Sequence, residues 1–128
     1  MVRPTLLVAE PEPLQAISVR KLILETAKYN VLTAHSREEG MELVRLFPNI
    51  AGAVVVIEDM VGCNDVARSV KTVNSDAPVI ALYSHVGQRC EAADHHISSF
   101  EPQELLDLVR SLFGDPRKID GTPRRGEV

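Results

Sequence analysis

The sequence is defined first by what is scarce in its 128 residues. Excess positive charge is absent: the net charge is −4, which leaves no electrostatic footprint for nucleic acid, whose binders usually carry a basic patch or stripe. No apolar run approaches the ~18 to 20 residues that a spanning helix needs, and Met1-Val2-Arg3-Pro4-Thr5 leads into a short apolar run without signal-peptide organisation. No membrane contact and a cytoplasmic location are therefore expected. Cysteine occurs only twice, as Cys63 and Cys90, with no CxxC, so a reduced, unpaired state is the expectation. There is no G-x-G-x-x-G or Walker-type loop, which argues against a dinucleotide or nucleoside-triphosphate enzyme. Nor is there a G-x-S-x-G elbow, so Ser84 beside His85 does not read as a catalytic nucleophile and base.

What is present alternates between short β-rich runs and longer helical patterns. "TLLVA" (5–9), "NVLTA" (30–34), "AVVVI" (53–57) and "PVIAL" (78–82) are strand candidates, and "HHIS" (95–98) is a weaker fifth. Three of the strong runs are nearly continuous apolar stretches, as strands covered on both faces require. Between them, Pro13 suits a first helical turn, and Ala16, Val19, Leu22, Ile23 and Ala27 recur at helical spacing through residue 28. Ser36 and Glu39 have capping-box spacing before the stripe Gly40, Met41, Val44 and Phe47, which Pro48 stops. Asn64 or Asp65 is placed to cap a third helix carrying Val66, Val70 and Val73. Pro102 opens the last helix, with Leu105, Leu106, Val109, Leu112 and Phe113 on one face and Gly114 as its stop.

A βα alternation with short connections predicts one α/β domain: a doubly wound, five-stranded parallel sheet with helices on both faces, spanning residues 1–114. The tail "GDPRKIDGTPRRGEV", rich in glycine, proline and mixed charge, reads as a disordered extension over 115–128. Ligands of such sheets bind beyond the carboxyl ends of the strands. That singles out Glu10 and Glu12, Glu58 and Asp59, Tyr83 and Ser84, and Ser98 and Ser99, which should converge. His95 and His96 are strand neighbours that point to opposite faces, a poor chelate, so one buried and one exposed histidine is expected.

Four segments, in order, resemble the receiver domain of two-component response regulators, which has a flavodoxin-like fold. "LLVAEPEPLQAISVRKLILE" resembles its opening, "TAHSREEGMELV" its second strand and helix, "APVIALYS" its fourth strand, and "ISSFEPQELLDLVRSLFG" its fifth strand, loop and final helix. The resemblance covers roughly residues 5–114 and implies a phosphorelay role, with two acids holding Mg²⁺, an aspartate accepting phosphate, a switch hydroxyl and a lysine. Carried onto this chain, the pattern is degenerate. Glu10 falls on the first metal acid and Pro11 on the second. The acceptor falls on Glu58, with Asp59 next, or on Ile57 if the chain is aligned on Gly62. The switch hydroxyl falls on Tyr83 or Ser84, and the lysine on Ser98 or Ser99.

No lysine lies between Lys71 and Lys118, and serines donate hydrogen bonds without the fixed positive charge that phosphoryl chemistry needs. A glutamate at position 58 is one methylene too long for an in-line nucleophile by the ~1 Å standard of catalysis. Its plain reading is a solvated strand-end acid, its sharper one a permanent mimic of the phosphorylated state. Glu10 with Glu58 or Asp59 retains oxygen ligands for weak, non-catalytic Mg²⁺ binding. "HVGQRCEAAD" is too short for the family's full fourth helix, which should be short or missing.

The expectation is a pseudo-receiver that is not an enzyme and has no obligate cofactor. It would act through a protein partner, such as a histidine kinase or output protein, or as a homodimer. The contact is expected at His95, Ile97, Phe100, Leu108 and Arg110. The rivals are an active phospho-receiver using Asp59 or Glu58, and an anion or small-ligand sensor in the vacated phosphate pocket.

Overall fold

Five short runs of β-branched and aliphatic residues supply the strands of one parallel sheet in the computed structural model, which describes residues 3–13 and 18–116. The strands are β1 (Thr5–Ala9), β2 (Asn30–Ala34), β3 (Gly52–Val56), β4 (Val79–Tyr83) and β5 (His95–Ser98), in spatial order β2-β1-β3-β4-β5. Four helices among the described residues, α1 (Val19–Thr26), α2 (Arg37–Leu46), α3 (Cys63–Val73) and α4 (Pro102–Phe113), cover the two faces. The expected α/β architecture is the observed one. The greater part of the charged tail, residues 117–128, lies outside the described residues.

The alternation of side chains along each strand sorts the core into two layers. Leu6, Val8, Val54, Val56, Ile80, Leu82 and Ile97 face α1 and α4, where Leu24, Leu105 and Val109 cover them. Leu7, Ala9, Ala53, Val55, Val79 and Ala81 face α2 and α3, under Val44, Val66, Ala67 and Val70. β1, β3 and β4 are buried throughout except at Thr5 and Tyr83, which is why their sequences show no polar alternation.

Helix starts depart from the sequence reading where a side chain has a competing use. α1 begins at Val19: Ser18 is the N-cap, its Oγ accepting from Lys21 N at 3.1 Å, while Pro13 is not helical. Ala16 lies outside the described residues. The helix ends at Thr26, two residues short of expectation, because Lys28 turns into the left-handed region at φ 76. α3 is capped by neither Asn64 nor Asp65. Asn64 Oδ1 is engaged by Ala92 N at 3.0 Å and Asp65 by Arg37 at 3.1 Å, so the chain enters the helix through Gly62 at φ 62. α2 starts as read, with Ser36 Oγ accepting from Glu39 N at 3.1 Å.

The segment from Ser84 to Asp94 contains no helix, as its length implied. Side chains hold it in place of a helical ladder. Gln88 Oε1 accepts from Ser84 N at 2.8 Å and His85 N at 3.2 Å, and His96 Nε2 accepts from Cys90 N at 3.0 Å. Both His95 and His96 are half-buried, so the expected buried-and-exposed pair is not found: His96 is drawn into this loop contact. Asp94 Oδ2 takes Val79 N at 2.8 Å and Lys71 Nζ at 2.7 Å. A second correction concerns the cysteines, which form a disulfide between Cys63 and Cys90 with Cα atoms 6.0 Å apart. β3 and β4 are paired neighbours, and the helix-free loop after β4 folds over the start of α3, so two thiols 27 residues apart meet without any local motif.

Two measurements follow. Burial raises the Asp94 carboxyl, but the Lys71 hydrogen bond, the Val79 amide and nearby positive charge outweigh it and hold it below its ordinary value. A depressed carboxyl contributes stability above its unfolded titration, near pH ~4, and loses it as pH falls through the folded value. The unfolding free-energy difference between wild type and Asp94→Asn should thus be constant at neutral pH and shrink under acid, measured by urea titration. A Cβ at Gly52 would meet the Phe113 ring and lie 2.7 Å from the Pro78 carbonyl oxygen. Gly52→Ala should therefore cost about 1–3 kcal/mol in the same assay.

Candidate functional site

The two-residue period that sorts the core also gathers the site. Two residues beyond Val8, Val56, Leu82 and Ile97 come Glu10, Glu58, Ser84 and Ser99, and all four line one cleft of about 350 Å³ above the α1/α4 face. Glu12, Pro13, Ser18, Arg20 and Phe100 are among the residues that line it with them. The predicted convergence at the strand ends is met by these residues and not by their sequence neighbours. Ile57 packs against the opposite core layer. Asp59 lines a separate cleft of about 430 Å³ with Cys63, Asn64, Asp65, Gln88 and Arg89, a cleft that Glu58 borders from its other side. Tyr83 lies across the sheet from Ser84 by alternation. Ser98 Oγ accepts from Phe100 N at 3.2 Å.

Glu10 is the one buried charged residue among those described, 2% exposed. An ionised carboxylate so placed needs compensation, since removing it from water costs several kcal/mol. Two groups supply it: Ser18 donates its hydroxyl to Oε1, and Arg20 Nη1 donates to Oε2 at 2.6 Å. The carboxylate is fixed further through the backbone, because Glu10 N donates to Ala34 O at 2.9 Å and His35 Nδ1 lies 3.2 Å from Glu10 O. Ser18 thus does two things at once, capping α1 and binding the acid. Arg20, in the first turn of α1, presents its guanidinium inward, partly exposed at the cleft wall.

Neither Ser18 nor Arg20 was singled out by sequence reasoning. An apolar spacing that extends the helix back to Pro13 places Ser18 and Arg20 inside it, where neither stands out. The signal available was S-x-x-K at 18–21, an N-cap candidate directly before an apolar stripe.

This arrangement does not fit a divalent cation bound through Glu10. Both carboxylate oxygens already have donors, a guanidinium occupies the position where a cation's charge would act, and Pro11 offers no second carboxylate. Among the described residues no group of three His, Cys, Asp or Glu side chains is placed to hold a metal. The cleft cation is an arginine from α1, where the family pattern has a lysine after β5.

Of the residues expected at a contact surface, Phe100 is 73% exposed, and His95, Leu108 and Arg110 are half-buried. Ile97 is a correction: at 7% exposure it belongs to the α1/α4 core layer, because its alternation places it beside Leu82. No helix among the described residues is long and apolar enough to cross a membrane.

No family model matches the sequence, and no curated protein matches it. Solved structures do match the fold. The receiver domain of a sensor histidine kinase from Pseudomonas aeruginosa PAO1, solved with magnesium coordinated in its active-site cleft, superposes with a TM-score of 0.70 at 18% identity, over 88% of this chain and 99% of that one. A response regulator receiver protein from Sinorhizobium medicae WSM419 gives 0.72 at 19%, over 87% and 94%. The chemotaxis response regulator CheY4 of Vibrio cholerae gives 0.71 at 15%, over 87% and 99%. At these identities the likeness concerns architecture, and with sheet order β2-β1-β3-β4-β5 the chain has the receiver-domain fold.

Proposed function

We propose that this chain is a degenerate receiver-like module of two-component signalling that acts in the cytoplasm by binding a protein partner, without aspartyl phosphorylation, enzymatic turnover or a required metal. The observation that carries the reading is the Arg20–Glu10–Ser18 cluster. It closes, from within the chain, the charge balance that a receiver leaves open for a cation and a phosphoryl group. A carboxylate that is permanently neutralised holds the cleft in one state, and a site with one state has nothing for a phosphorylation cycle to switch. Glu58 and the lysine-free stretch after β5 support the same reading. The partner, a kinase, an output protein or a second copy, would meet the open edge of β5 and the adjoining flank of α4, with exposed Phe100 ahead of that helix and half-buried Leu108 and Arg110 on it.

Intact mass after incubation with acetyl phosphate and Mg²⁺ should show no phosphoryl adduct. An adduct abolished by Asp59→Asn or Glu58→Gln would overturn the proposal. Phe100→Ala combined with Arg110→Ala should leave the melting temperature nearly unchanged while weakening capture of a cognate kinase or self-association in light scattering; undiminished binding would exclude this surface. Arg20→Ala leaves a buried carboxylate with one neutral donor, and should lower unfolding free energy by about 2–3 kcal/mol in urea.

A further inference from the structure

The Cys63–Cys90 bridge joins the two walls of the larger cleft, and its surroundings distinguish its two sulfurs. Cys63 is the first residue of α3 and lines the cleft at 7% exposure, whereas Cys90, within the loop after β4, is fully buried. α3 has no side-chain cap at its start, because Gly62 occupies the N-cap and Asn64 is turned away to Ala92. The positive end of the α3 dipole thus meets Cys63 without a competing side-chain cap, in a cleft that Glu58, Asp59, Asp65 and Arg89 also line. The opposite wall, Gln88 and Arg89, belongs to the helix-free segment from Ser84 to Asp94, whose attachments near Cys90 are single hydrogen bonds donated by Cys90 N to His96 Nε2 and by Ala92 N to Asn64 Oδ1. Each is worth only about 1 kcal/mol. Both cysteines pack in the α2/α3 core layer, whose other buried members come mostly from strands and helices across the sheet.

We propose that Cys63–Cys90 is a reversible thiol–disulfide exchange site, with Cys63 the exchanging sulfur and Cys90 the resolving one, whose opening releases the Gln88–Arg89 wall from the cleft beside Glu58 and Asp59. The reductant is a dithiol. Its thiolate attacks Cys63 Sγ, the Cys63–Cys90 bond breaks, and Cys90 leaves as a thiolate that takes up a proton. The reductant's second thiol then attacks its own sulfur in the mixed disulfide and releases Cys63. Two electrons and two protons pass to the protein, and the reductant departs as a disulfide. Oxidation by a disulfide runs the same steps backwards, beginning at the Cys63 thiolate. The inference goes beyond the pseudo-receiver reading and does not depend on it, since it concerns the other cleft and requires neither partner nor phosphate. At the proposed cytoplasmic location it would also account for the bridge, since persistent disulfides are rare there and those that occur are mostly redox-responsive.

The test uses the whole protein purified without reductant. Alkylation after denaturation should find no free thiol, and native incubation with dithiothreitol should expose two while circular dichroism and cooperative melting persist. Two free thiols in the air-oxidised protein, or reduction only once urea has unfolded it, would overturn the proposal. Glutathione disulfide should modify Cys63 in the Cys90→Ser variant about tenfold faster than Cys90 in Cys63→Ser; equal or reversed rates would remove the assigned roles. Amide hydrogen exchange over residues 84–94 should rise about tenfold on reduction and equally in Cys90→Ser. An unchanged rate there would show that the bond does not hold the wall.

Discussion

A carboxylate buried at the carboxyl end of a central strand is the constraint on which the rest of this molecule turns. β1 delivers Glu10 into a place from which water is excluded, and no arrangement of the strand can avoid this while Leu6 and Val8 face the core. The compensation must come from the element packed above it, which is α1. That requirement explains why the helix starts where it does: Ser18 has to stand at the N-cap to reach Glu10, and Arg20 follows on the correct side one step into the first turn. The β1–α1 connection is accordingly set by electrostatics as much as by apolar spacing. A charge-assisted pair of this kind is a poor source of net stability but a strong source of uniqueness, because every slipped arrangement leaves one charge buried alone.

The sheet register spreads the consequence to the other strands. Leu6 sits opposite Gly52, Val54 opposite Ile80 and Leu82 opposite Ile97, so residues of one parity share a face from β1 to β5. The cleft is thus the continuation of the α1/α4 core layer beyond the strand ends, with acids and serines replacing the aliphatics. Its content follows from which residues lie two positions past the last core side chain. This is why Glu58 shares the cleft with Glu10 while Asp59, the better nucleophile by chemistry, is directed into the neighbouring cleft with Arg89.

Much of this was legible in the sequence. β1, β2 and β5 occupy the residues read for them, because their apolar runs are bounded by polar or proline residues. β3 and β4 are displaced by one. Gly52 enters β3 because its missing side chain lets Phe113 lie against the strand, a requirement that hydropathy does not record. Pro78 precedes β4, lacking an N–H, while its carbonyl still accepts from Ala53 N at 3.1 Å. The strand-end acids and serines were legible by position, but the role of Arg20 was not, since a cation on an amphipathic helix looks the same whether it faces solvent or a buried acid. The disulfide was hidden for a related reason: its two cysteines are brought together by sheet topology and by a helix that is missing, and neither leaves a local spacing.

That missing helix also decides what kind of surface the molecule presents. In a doubly wound sheet each crossover normally carries a helix that both covers a face and stiffens the connection. Here the β4–β5 crossover covers little, and its rigidity is delegated to single contacts: Gln88 closing the turn, Cys90 tied to Cys63, Ala92 to Asn64 and Asp94 to Lys71 and Val79. Three of those ties end on α3 and none on α4. The loop is therefore mechanically part of the α2/α3 side, and among the described residues β5 pairs with β4 alone, which leaves its other edge open. The acid cluster near α1 and the bridge near α3 sit at opposite sides of Glu58, the residue that borders both clefts. On one side the buried acid is satisfied by charges of the chain itself, and on the other the bridge ties α3 to the loop after β4.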